Sequence, residues 1–376
     1  MIIKRKEIAF IIPSSNIGGA EKQAIILAKE LKYQDIANVS IIVFGSNKGE
    51  ILYLLNKYSL DYYLINTNIS FLPNKIFSLY KLFRLYNLLI KSNYDILMPY
   101  TLEMNLYVGL IKKKLGQKKI VWNQRDGGFG IIPNRIYKYA FNNFDLYISN
   151  SISGLNYLKT NFNHYQTKLH LVYNGYDELD KKIIDLKWKE KYNIKFDEIV
   201  ICMVANIHKN KDHITVIHSI NYLKNILKVS VMPKFVFAGY FGDTYNDIIK
   251  LVDKFKLNEN IIFCGSVIDI HSIICESDIS ILSSISEGCS NVVIESMFAA
   301  KPIVGTNIYG IKDLLGEDMG DCLFEIGDYI KLSNIINRLI CDKELRDNIG
   351  KLNYNNAKNK FSIEKLVDNT CNIILK

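Results

Sequence analysis

A chain of 376 residues, 49% hydrophobic and 23% charged, is long enough for two domains and too apolar for wholesale disorder. Its 6 prolines and 21 glycines exclude collagen-like and proline-rich architectures. The net charge of +9 is unevenly spread. Residues 1–176 carry 22 Lys and Arg against 10 Asp and Glu, and residues 177–376 carry 25 against 28, so the first half invites an anionic partner: a membrane surface, nucleic acid or a phosphorylated substrate.

The basic start at Met1 leads into an apolar run at 8–12 that is too short for a signal core and is ended by Pro13. No apolar run approaches the roughly 18 residues that span a bilayer. A cytoplasmic protein is expected, peripheral on the inner face of the membrane. Residues 7–12 predict a buried strand, and 20–33 a helix with Ala20, Ala24, Ile25, Ala28 and Leu31 on one face. Strands follow at 39–44, 95–98, 119–122 and 145–149, with a helix at 75–91. This βαβ alternation predicts a parallel sheet covered on both faces. Asn174-Gly175 is a turn signal, and the charged segment 177–198 is read as a linker holding one helix. Alternation restarts with strands at 199–204, 234–238, 261–264, 279–283 and 302–305, and helices at 212–226, 243–256 and 291–300. The tail, 343–376, is predicted helical throughout. The expected division is 1–173, a linker 174–198, a second domain 199–355, and a C-terminal helix 356–376 packing back on the first. The fold class is α/β, two Rossmann-like domains whose parallel sheets face across a cleft, with ligands at the carboxyl ends of the strands.

Two stretches concentrate the basic charge. Residues 75–91 hold four cations and no acid among large apolar groups, and 112–119 hold five cations. A basic amphipathic helix suits a membrane interface, and the same composition suits a helix covering a sheet. The aromatics there fall at helical spacing rather than in a stacking platform, so nucleic acid is not the expected partner. The seven cysteines all lie after residue 200, with no Cys-x-x-Cys pair, which speaks against a disulfide framework and a zinc site.

The chemistry concentrates at Ser284-Ile-Ser-Glu287-Gly288-Cys-Ser290-Asn291-Val292-Val293-Ile-Glu295. A strand runs into a loop bearing Glu287 and Gly288, and Ser290 is a fitting N-cap for the next helix. The N–H groups of Asn291, Val292 and Val293 are helix-start donors that can hold a diphosphate with the helix dipole. Glu295, just over one turn in, can accept hydrogen bonds from the diol of a ribose. Glu287 projects toward whatever the diphosphate carries. Gly18-Gly19 opens a helix after the first strand and lets backbone approach a phosphate or a sugar. Lys211, after strand 199–204, can neutralise a leaving diphosphate.

This constellation resembles the nucleotide-sugar signature of retaining glycosyltransferases of family four, which have the GT-B fold. The resemblance spans nearly the whole chain and rests on Glu287-Gly288, Asn291-Val292-Val293, Glu295, Lys301-Pro302-Ile303-Val304 and Gly310, on residues 8–21, on Asn174-Gly175-Tyr176-Asp177, and on Val204 to His213. It implies a metal-independent, cofactor-free transferase. The donor is a nucleotide diphosphate sugar, UDP ahead of GDP, bound by the second domain. The acceptor, bound by the first, is a saccharide on a polyprenyl diphosphate in bacterial surface polysaccharide synthesis. It gives Glu287 and Lys211 catalytic roles, and the loop reaching Val267 backbone contacts to the base.

The chain departs from the pattern in places. Asn206 stands where the family usually has Arg, Tyr309-Gly310 stands for Gly-Gly, and Asn123-Gln124-Arg125-Asp126 stands where many members have a His. Arg125 and Asp126 are candidates for contacting sugar or acceptor. The alternatives are a nucleotide-sugar epimerase of the same fold, which needs no acceptor, and a transferase-like subunit without turnover. No Asp-x-Asp occurs, which speaks against a metal-dependent transferase of the other common fold.

Overall fold

The computed structural model describes residues 5–67, 74–128, 132–162, 167–177, 188–267 and 269–376. They divide into two compact units: residues 1–175 with 363–376, and residues 176–362. In chain order the first unit holds β1 (Lys6–Ile12), α1 (Gly19–Tyr33), β2 (Ala37–Gly45), α2 (Glu50–Lys57), β3 (Asp61–Asn66), α3 (Asn74–Ile90), β4 (Ile96–Pro99), α4 (Leu102–Ile111), β5 (Lys119–Gln124), α5 (Arg135–Phe141), β6 (Leu146–Ser149), α6 (Ile152–Asn161) and β7 (Leu169–Leu171). The second holds α7 (Trp188–Lys191), β8 (Val200–Val204), α8 (His213–Asn225), β9 (Lys234–Ala238), α9 (Tyr245–Lys254), β10 (Ile261–Gly265), α10 (Ile270–Glu276), β11 (Ile279–Leu282), α11 (Asn291–Phe298), β12 (Ile303–Thr306), α12 (Tyr309–Leu315), β13 (Leu323–Phe324), α13 (Tyr329–Cys341) and α14 (Lys343–Lys360). The last helix, α15 (Ile363–Ile374), belongs to the first unit.

Among the described residues the first sheet runs β3-β2-β1-β4-β5-β6-β7 and the second β10-β9-β8-β11-β12-β13, with every pairing parallel. Both follow the doubly wound order, which reverses direction between β1 and β4 and between β8 and β11. Strands at such a centre are buried on both faces and need continuous apolar runs. Residues 8–12 of β1 and all five residues of β8 are buried. One apolar layer packs α1, α2 and α15 on the first sheet, with Ile25, Leu31, Leu55, Leu366 and Ile374 in it. The other centres on Trp122, against Phe141 at 4.8 Å and Phe144 at 5.1 Å between ring centroids.

The tail differs from its expected continuous helix. Phe361 is fully buried and leaves helical geometry at φ −121° and ψ 16°, and its carbonyl accepts from the Tyr176 N–H at 2.9 Å, so α14 stops before α15 begins. Short β3 went unforeseen because most of its side chains face solvent, which removes the apolar signal. Most of the linker segment, 178–187, lies outside the described residues; its visible helix is the single turn α7.

Candidate functional site

At the centre of the second sheet, the loops after β8 and β11 are bound together. The Ile285 N–H donates to the Asn210 carbonyl at 2.9 Å. The Lys211 ammonium pairs with Glu287 Oε1, and the Ser284 hydroxyl donates to the same oxygen at 2.6 Å. Both charged side chains are mostly out of water, at 21% and 12% exposure, where a pair is stronger than on a surface. The Ser284 N–H in turn donates to the Thr306 hydroxyl on β12 at 2.8 Å. The start of α12 presses on this loop from the other side: a Cβ at Gly310 would lie 2.4 Å from the Glu287 carbonyl and 2.5 Å from that of Gly288.

Ser290 N-caps α11, accepting weakly from the Val293 N–H at 3.5 Å. Of the three expected donors, Val293 is therefore already engaged by its own cap. Helix geometry leaves the N–H groups of Asn291 and Val292 with no intrahelical acceptor. Glu295 lies on the same helix, half-buried. Asn206 takes a structural part: its side-chain oxygen accepts from the Tyr240 N–H at 2.9 Å, fastening the β8 loop to the β9 loop. Val267 packs partly buried against the sheet core, beyond an irregular β10 end where Gly265 adopts φ +67°.

Sequence reasoning gave no role to Ser284, whose hydroxyl holds Glu287, to Thr306, which holds Ser284, or to His213, which meets the Lys211 carbonyl. The His213 Nδ1 lies 2.6 Å from the Lys211 carbonyl. A carbonyl only accepts, so Nδ1 carries the hydrogen. Among the described residues its Nε2 is buried without a partner, and burial pushes its pKa down to about 4, so the ring is neutral at physiological pH.

In the first unit, Gly18 is the N-cap of α1 and Gly19 its first residue. Glu21 folds back over this start. A Cβ at Gly18 would lie 2.5 Å from its carboxylate, which takes the Gly18 N–H, and burial pushes its pKa up. That carboxylate repels a phosphate there; neutral sugar hydroxyls remain compatible with the turn. Arg125 and Asp126, at the end of β5, point apart as strand neighbours do. Arg125 lies 4.2 Å over the Tyr100 ring and donates to Asn123 Oδ1 at 3.0 Å and Asn174 Oδ1 at 3.4 Å. Asp126 closes its own turn, accepting from the Gln124 amide at 2.6 Å and the Gly128 N–H at 2.8 Å.

The basic stretch 112–119 is largely used internally. Lys112 pairs with Asp145 at 3.0 Å, Lys118 donates to the Ser92 and Tyr94 carbonyls at 2.6 and 3.2 Å, and Lys119 donates to the Ile374 carbonyl at 3.0 Å. Lys113 and Lys114 remain exposed, near the rings of Tyr139 and Tyr86. On α3, Lys81 pairs with Glu103, while Leu79, Phe83 and Ile90 are exposed on one stripe. Among the described residues no helix is long and apolar enough to cross a membrane.

Two doubly wound sheets, with a Lys–Glu pair and a capped helix start at the switch point of the second, define a glycosyltransferase of the GT-B type. Residues 17–178 match the model for Glycosyltransferase Family 4, and residues 184–356 that for Glycosyl transferases group 1. The chain belongs to these glycosyltransferases. It is 24% identical over 284 residues to N-acetyl-alpha-D-glucosaminyl L-malate synthase of Bacillus anthracis, covering 74% of this chain and 73% of that protein. It is 25% identical over 361 residues to GalNAc-alpha-(1->4)-GalNAc-alpha-(1->3)-diNAcBac-PP-undecaprenol alpha-1,4-N-acetyl-D-galactosaminyltransferase of Campylobacter jejuni, covering 94% and 93%. In structure it superposes on Anabaena HepE in complex with UDP and glucose with a TM-score of 0.80 at 17% identity, over 99% and 100% of the two chains.

Proposed function

We propose that this protein is a retaining glycosyltransferase that moves a sugar from a UDP-sugar to a saccharide carried on a lipid diphosphate, in the synthesis of a surface glycan. The Lys211–Glu287 pair at the carboxyl ends of β8 and β11 carries the reading. Lys211 and the first N–H groups of α11 meet the charge of the departing diphosphate without needing a metal. Glu295 accepts from the ribose hydroxyls. Both contacts to Glu287 fall on Oε1, so Oε2 is placed to accept from the donor sugar and to oppose its developing positive charge. The leaving phosphate takes the acceptor's proton, so no separate general base is required. The Anabaena protein's UDP and the Campylobacter enzyme's undecaprenol-linked substrate support the donor and acceptor classes.

Thermal unfolding with UDP, GDP, ADP and CMP tests the donor site. Ligand at about 100 times its dissociation constant adds about 2.7 kcal/mol. UDP should raise the midpoint by a few degrees, and Glu295→Ala should abolish the shift. A shift with none of the four sinks the donor assignment.

The acceptor's lipid places the first unit at a membrane. The exposed Leu79, Phe83 and Ile90, with Arg84, Lys91, Lys113 and Lys114, suit an anionic surface. Co-sedimentation with phosphatidylglycerol vesicles should be strong at low salt, and should fall in 0.5 M NaCl and in a Lys113→Gln/Lys114→Gln variant. Equal pelleting with neutral vesicles would refute the electrostatic attachment.

A further inference from the structure

The loops after β8 and β11 set one ammonium against one carboxylate. Among the described residues Glu287 is the one acid in ion-pair contact with Lys211. The Lys211 backbone is held on both sides. Its N–H donates to the His208 carbonyl at 2.9 Å, and its own carbonyl accepts from the His213 N–H and from Nδ1, each at 2.6 Å. Glu287 has a second tether, because the Ser284 hydroxyl donates to the same Oε1 at 2.6 Å. The movable member of the pair is therefore the Lys211 side chain, whose long stem can turn its point charge without shifting either backbone. At 21% exposure the Lys211 side chain still meets water, so an arriving anion can reach it.

An ammonium already neutralised attracts an anion less strongly. A diphosphate that takes it strips a mostly buried carboxylate of its counter-charge and sets a second anion beside it. The contact of Lys211 with Glu287 and its contact with a diphosphate therefore compete. Glu287 does not follow the lysine away, because Ser284 still holds it.

We propose that Glu287 restrains Lys211, so that the pair is a latch that a nucleoside diphosphate has to open and that closes again as the spent nucleotide leaves. This rests on the transferase reading above and adds a control on product release to the same site. While the sugar is attached, Glu287 Oε2 accepts from it, which offsets the loss of the lysine. After transfer that contact departs with the sugar, and the carboxylate reclaims Lys211 from the diphosphate.

The test is calorimetric titration of UDP into the full chain. Glu287→Gln, close to the parent in shape but uncharged, should bind UDP about fivefold more tightly than the parent, and Glu287→Ala at least as tightly as Glu287→Gln. Lys211→Gln should bind it about tenfold more weakly. In the Lys211→Gln background, Glu287→Gln should change the affinity by no more than about twofold, because the lysine carries the coupling. The latch is overturned if the parent binds UDP and Lys211→Gln weakens it, but neither Glu287 variant tightens it; the donor reading then stands. It is also overturned if Glu287→Gln tightens UDP equally with and without Lys211, which would show direct repulsion between carboxylate and phosphate. Parent binding that Lys211→Gln leaves unchanged would take Lys211 out of the donor site and the latch with it. Failure of the parent to bind UDP would remove the donor reading itself.

Discussion

Glu287→Ala should lower kcat/KM for sugar transfer by about 10²–10³-fold, the loss typical of one preorganised group aimed at transition-state charge. Two effects combine. On the proposed mechanism the carboxylate that would oppose the sugar's positive charge is gone, and Lys211 loses its ion-pair partner. Leaving a largely buried ammonium unpaired also costs about 1–3 kcal/mol of stability, less than a fully buried pair because water still reaches Lys211. Glu287→Gln separates the effects. It keeps the side chain's size and an oxygen for the Ser284 hydroxyl at 2.6 Å, but removes the charge. Its rate should fall nearly as far as that of the alanine variant, with a smaller change in unfolding midpoint. Initial rates with a fixed acceptor, measured beside thermal unfolding, make the comparison. Gln retaining more than about a third of the parent rate would show that Glu287 acts by shape and hydrogen bonding rather than by charge.

The parts of this site that were legible in the sequence are those carried by contiguous residues. The run from Ser284 to Glu295 declares a strand, a loop and a capped helix, because each needs a particular residue type in order. Lys211 was found for a similar reason, following a strand of continuous apolar residues. What was hidden is what residues do across the fold. Ser284 and Thr306 look like ordinary polar residues near strand ends until β11 and β12 lie side by side. Glu21 sits where a capping residue belongs, yet nothing local says that its carboxylate fills the start of α1 that a phosphate would need. Counting charge overstated the basic face: Lys112, Lys118 and Lys119 meet Asp145 and backbone carbonyls that are distant in sequence, so net charge located the patch but not its free cations. In the fold, buried central strands were clear, whereas the solvent-facing β3 and the break at Phe361 depended on tertiary contacts.

Gly310→Ala carries the sharpest consequence of those hidden contacts. Replacing glycine by alanine inside a helix ordinarily stabilises by about 1 kcal/mol, because the unfolded chain loses freedom and the helix gains a good former. Gly310 lies in α12, and its φ is not in the left-handed region, so propensity alone predicts a gain. The added Cβ, however, would lie 2.4 Å from the Glu287 carbonyl and 2.5 Å from that of Gly288. Both neighbours are backbone, which cannot rotate aside as a long side chain would. Either α12 or the Glu287 loop must move. Overpacking of this kind typically costs about 1–3 kcal/mol. If the loop moves, Glu287 is displaced from Lys211 and from its proposed place against the donor sugar, and a shift near 1 Å can cost about 10²-fold in rate. Gly320→Ala is the control, because a Cβ there meets nothing within 4 Å; its rate and midpoint should match the parent's. The expected signature of Gly310→Ala is a modest fall in midpoint with a disproportionate fall in kcat. A lowered midpoint with parental kcat would mean that α12 yields instead, and that the Glu287 loop holds its place through Ser284 and Lys211 alone.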